Sequence, residues 1–91
     1  MIYKQNPDVI RRIIAEETFL IPVHKNLADM NNIYVLHGTG DFIWDHIDGK
    51  KSIEEIVGLI TEQFDVSHSR AFGDTKDIIG DMEKSGLIVQ V

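Results

Sequence analysis

The chain has 91 residues, 43% hydrophobic and 26% charged, which suits one small folded domain spanning 1–91 and excludes an intrinsically disordered segment. Cysteine is absent, so a disulfide framework and a thiolate metal site are excluded, and the cytoplasm is the expected compartment. Fifteen acidic side chains against nine basic give a net charge of -6, which opposes nucleic acid as a partner.

Met1 to Pro7 lacks the basic-then-apolar pattern of a secretory signal. No apolar run approaches the roughly 18 residues of a membrane span, so no membrane role is expected. Val9 to Ile14 is short and β-branched, Ala15-Glu16-Glu17 is a turn, and Thr18 to Val23 is a second apolar run. The three together predict a hairpin. Pro22 cannot donate to a ladder and belongs at the end of its strand. His24 to Asn31 is polar and turn-forming, and it leads into a third strand, Ile33-Tyr34-Val35-Leu36.

Beyond His37 and Gly38 the period becomes helical. Ile43, Trp44 and Ile47 recur at helical spacing, and Gly49 supplies a permissive backbone at the helix end. Ser52 and Glu55 then form a capping-box pattern. Ile53, Ile56, Val57, Ile60 and Phe64 make one apolar stripe on the second helix. Asp65-Val66 breaks that helix and Ser67 caps a third, with Val66 and Ala71 placed as a hydrophobic staple. On the third helix Ala71, Phe72, Thr75, Ile78, Ile79 and Met82 face inward, and Ser85-Gly86 ends it. Leu87 to Val91 forms a short strand or an extended segment packed on the bundle. The order predicts an α+β fold like a winged helix-turn-helix: a three-stranded antiparallel sheet on a three-helix bundle, with a C-terminal strand.

Chemistry is sparse. His24, His37, His46 and His68 match no zinc spacing, and Asp41, Asp45, His46 and Asp48 read as a solvated polar face, so no metal and no cofactor is expected. Ser52, Ser67 and Ser85 have capping or terminating roles, and no glycine-rich phosphate loop exists, so no catalytic residue is assigned and the chain is expected not to be an enzyme. Trp44, the single tryptophan, reads as core.

The strands differ as edges. Arg11 and Arg12 place charge on the first, a usual guard against strand addition, while Ile33 to Leu36 has no charge, proline or glycine and reads as the open edge. A flanking segment or a second copy of the chain could instead cover it, which would make a homodimer. On the third helix Ser69, Gly73, Lys76 and Gly80 share one face. Each glycine costs about 1 kcal/mol relative to alanine, so the row reads either as drift or as a low groove wall.

The run Gly40-Asp41-Phe42-Ile43-Trp44-Asp45-His46-Ile47-Asp48-Gly49, followed by Ser52-Ile53-Glu54-Glu55-Ile56, resembles the signature of the PqqD family, also called RiPP recognition elements. The resemblance extends from about Ile33 to Leu87. It takes in Tyr34-Val35-Leu36, Phe64-Asp65-Val66, Asp74 and the Ile78, Ile79, Met82, Gly86, Leu87 set. Many relatives have Asn where this chain has His37, which passes the cap of the first helix to Thr39 or Gly38. The resemblance implies a stand-alone peptide chaperone that binds the leader segment of a ribosomally made precursor and presents it to a maturation enzyme acting in trans, of radical SAM or another type, toward pyrroloquinoline quinone or a related product. It implies that the leader adds as a strand to the third strand and lies in the cleft before the third helix. The peptide-binding residues so expected are Ile33, Tyr34, Val35, Leu36, Ser69, Arg70, Gly73, Lys76, Asp77 and Gly80. The competing reading is a winged-helix DNA-binding or transcription-related domain, against which charge is the discriminator.

Overall fold

A computed structural model describes residues 1–23 and 34–91; the polar segment from His24 and the first residue of the expected third strand, Ile33, lie outside the described residues. The element order is β1 (Ile2–Gln5), β2 (Val9–Ile14), β3 (Glu17–Pro22), β4 (Tyr34–Leu36), α1 (Thr39–His46), β5 (Asp48–Ser52), α2 (Ile53–Gln63), α3 (His68–Lys84) and β6 (Ile88–Gln90). Two antiparallel sheets result, with strand orders β2-β3-β4 and β5-β1-β6. The expected hairpin, third strand and helices are all present, and the fold is α+β. The second sheet is an addition to the expectation: Ile2–Gln5 and Asp48–Ser52 are strands, and Ile88–Gln90 pairs with the former rather than merely packing on the bundle.

The helix ends follow local chemistry. Ser52 accepts from the Glu55 amide while Glu55 reaches back to the Ser52 amide, so both halves of the capping box form. Ser67 accepts from the Arg70 amide at 3.3 Å; such a cap contributes about 1 kcal/mol. At the other end of α3 the Leu87 amide donates to the Met82 carbonyl and the Gly86 amide to that of Glu83, a Schellman arrangement with Leu87 fully buried behind it. Two expectations move. α1 stops at His46 with Ile47 as its cap, so Gly49, at φ 81°, serves a turn of β5 and not the helix end. Phe64 lies just past α2, where it caps the helix and sets its ring edge-on to Phe42 at 5.5 Å.

The core joins both sheets to the three helices: Leu20 and Leu36 from one sheet, Tyr3 and Ile88 from the other, Ile43, Trp44 and Ile47, then Ile56, Val57 and Ile60, and finally Ala71, Ile79 and Met82. Trp44 is core, as its place on the apolar face of α1 requires. Polar ties lock α1 onto β2 and β3. Thr18 donates from Oγ1 to Asp41 at 2.9 Å, and Arg11 pairs with Asp45, so Arg11 pins the edge strand to α1 instead of standing as a free guard.

Register fixes where each backbone group of the β2-β3-β4 sheet points. The Val23 amide donates to the Asp8 carbonyl at 2.8 Å, directly beyond the Val9 and Pro22 pair. Antiparallel alternation then makes Ile10 with Ile21, Arg12 with Phe19 and Ile14 with Glu17 the hydrogen-bonded pairs. The intervening Thr18 and Leu20 turn their backbone groups toward β4, where they bond Leu36 and Tyr34. Pro22 has the same parity, so its missing N–H leaves the β2 ladder intact.

Candidate peptide-binding cleft

Strand β4 ends its sheet, and among the described residues nothing pairs with its far edge. Since Tyr34 and Leu36 spend their backbone groups on β3, those of Val35, opposite Phe19, point away from the sheet. One N–H and one C=O thus stand ready for an added strand. His37 has the same outward parity, but its carbonyl is already taken by the Gly40 amide at 2.9 Å as α1 begins.

Beside this edge lies a cavity of about 180 Å³ lined by Tyr34, Val35, Leu36, His37, Gly40 and Ile78. Three elements build it: β4 gives one wall, α3 the other through Ile78, and the first turn of α1 the end. Gly40 has a steric reason here, because a Cβ would come within 3.3 Å of Leu36 Cδ2. Gly38 caps α1 at φ 54° with no side-chain bond, the outcome the His37 departure leaves open. The lining is mostly apolar, suited to an extended peptide whose alternate side chains reach in.

Tyr34 titrates above the ordinary phenol value of 10.0, first because it is buried and second because the Asp81 carboxylate is close. Asp81 lies one helical turn from the cavity-lining Ile78, on the same side of α3. At 3.6 residues per turn the helical neighbours of Ile78 on that side are Asp74 and Asp81, and Arg70 and Asp77 lie further round the helix. The row of Ser69, Gly73, Lys76 and Gly80 lies beyond Asp77 and away from Ile78, and at its far side Lys76 sits over the Phe72 ring at 5.5 Å. A Cβ at Gly73 or Gly80 would meet nothing within 4 Å, so no close backbone approach explains either glycine.

Of the ten expected peptide-binding residues, the structure brings Tyr34, Val35 and Leu36 together on the cavity wall. Ser69, Arg70, Gly73, Lys76, Asp77 and Gly80, all on α3, do not line the cavity, and Ile33 lies outside the described residues. His37, Gly40, Ile78 and Asp81 were not among the expected ones. The apolar periodicity of α3 marked Ile78 as inward-facing, and only the placement of β4 turns that into a cavity wall. Among the described residues no group of histidines and carboxylates converges as a metal site, and no helix is long and apolar enough to cross a membrane.

The profile of the family described as coenzyme PQQ synthesis protein D (PqqD) matches residues 13–88. No curated protein matches the chain significantly in sequence. Two solved structures share its fold. The chain is similar to TbiB1 in complex with the TbiA(beta) leader peptide, with 22% identity, a TM-score of 0.74 and 93% of each chain covered. It is similar also to lasso peptide synthetase B1 complexed with the leader peptide, with 12% identity, a TM-score of 0.79, and 98% of this chain and 99% of that one covered.

Proposed function

The chain belongs to the PqqD family, and on that premise we propose that it is a peptide chaperone that binds the leader segment of a ribosomally made precursor by strand addition to β4. The observation that carries this is the Val35 backbone pair directed outward beside an apolar cavity: the edge supplies sequence-independent hydrogen bonds, and the cavity selects a side chain. Leader peptides are the ligands of both similar structures, which supports the same ligand class here. In this reading the chain is a binding partner and not a catalyst. It acts in the cytoplasm as a single domain and hands its peptide to a separate maturation enzyme, for which the radical SAM class is the leading candidate, toward pyrroloquinoline quinone or a related product. Homodimerisation through the same edge would compete with the peptide, and sedimentation with and without peptide measures it.

The direct test is an amide-shift titration with the leader of the precursor encoded beside the gene. Shifts are expected to concentrate at Tyr34 to His37 and along α3 around Ile78. Shifts confined to α2 would refute the assignment.

A further inference from the structure

We infer that the peptide held in this cleft is cationic: next to the apolar residue that enters the cavity it carries a lysine or arginine that pairs with Asp81. This rests on the strand-addition reading above. The cavity and the open edge make the site, and the carboxylates of α3 set its charge. Ile78 lines the cavity, and Asp74 and Asp81, at i−4 and i+3 from it, share its side of the helix with Asp77 next to Asp81, whereas Lys76 is drawn over Phe72 on the far flank. Asp74 has a distant partner in Arg70 at 3.9 Å, with both side chains more than half exposed. Asp77 and Asp81 have no cationic partner among the described residues. The six cavity-lining residues include no lysine or arginine. The field of Asp81 reaches the cavity wall, since it acts on the Tyr34 hydroxyl.

A peptide lying along β4 narrows the solvent gap between strand and helix, so charges facing Asp81 interact through less water than they do in the free protein. An acidic residue there would be repelled. A lysine or arginine would set its charge on Asp81 and its methylene stem on Ile78, gaining contact from both parts. Side chains on one face of an added strand recur every second residue, which places the basic residue two positions from the apolar one. The net charge of -6 favours a positively charged ligand during encounter as well.

The test uses the full chain and a displayed library of random dodecapeptides, with the enriched sequences resynthesised and measured against variants. Enriched peptides are expected to carry lysine or arginine two positions from an aliphatic or aromatic residue. Asp81→Lys should weaken them about tenfold, while Glu62→Lys, the same charge change at an exposed position of α2, should leave them unchanged. A peptide in which the lysine is replaced by glutamate should prefer Asp81→Lys over the parent. Peptides that bind through β4, as judged by their loss in Val35→Pro, yet lack a basic residue or ignore Asp81→Lys, would overturn the charge inference and leave strand addition standing. Peptides indifferent to Val35→Pro would overturn both.

Discussion

Phe19 and Val35 face each other across β3 and β4 as a non-hydrogen-bonded pair, so the Val35 amide and carbonyl belong to the open edge and not to the sheet. Val35→Pro therefore removes a donor that only an incoming strand would use. The restriction proline places on Tyr34 is to extended backbone, which Tyr34 already has in β4. Circular dichroism and the thermal midpoint are expected to stay near those of the parent, with peptide affinity reduced at least about tenfold. A folded variant that binds as well as the parent would show that this edge is not where the peptide adds.

The β2-β3 turn is built from poorly suited residues. Ala15 and Glu16 hold φ of 52° and 70°, the left-handed pair of a two-residue turn that favours Asn-Gly. Each non-glycine residue held so costs about 1–2 kcal/mol. Ala15→Asn combined with Glu16→Gly should stabilise the fold by about 1 kcal/mol and raise the thermal midpoint by about 4–8 °C. Differential scanning calorimetry measures it, and an unchanged or lower midpoint would contradict the turn geometry.

Asp48 titrates at about 2, below the ordinary 3.8, first because Lys51 bonds its side chain and then because the Lys50 amide donates to it. A carboxylate lowered on folding contributes stability above the unfolded value, and that contribution is lost as pH falls from about 4 through about 2. Asp48→Asn should flatten the acid limb of a stability-versus-pH curve in that window and leave its slope near neutrality unchanged. A parent and variant with parallel acid limbs would show that Asp48 is not so held in solution.

A fold with a wing and a long third helix invites a test against DNA. From Ser67 to Ser85 that helix carries four acids, Asp74, Asp77, Asp81 and Glu83, against three bases, Arg70, Lys76 and Lys84. No complex with random duplex is expected even at about 50 mM salt, where phosphate-driven binding is strong. A salt-dependent shift in polarisation, reduced by Arg70→Ala with Lys76→Ala, would contradict this.

Residue identity alone determined the elements whose signals are local. Ser52 with Glu55, Ser67 and Gly86 mark helix ends because capping needs only neighbours within one turn. Val9 to Pro22 reads as a hairpin because a short β-branched run and a second apolar run flank a short polar turn. Strand β5 had no such signal. Asp48-Gly49-Lys50-Lys51-Ser52 has low strand propensity and is extended because β1 pairs with it, Lys4 opposite Asp48 and Ile2 opposite Ser52, a relationship between distant segments. The cleft divides in the same way. The uncharged run of β4 was visible in the residues, as was the helical period that groups Ser69, Gly73, Lys76 and Gly80 on one flank of α3 and Ile78 with Asp81 on another. Period states which residues share a face, but not which face meets a neighbour. Burial of Ala71, Thr75, Ile79 and Met82 against the core rotates α3 so that the Ile78 and Asp81 flank looks toward Tyr34, and only that packing decided which side chains line the site.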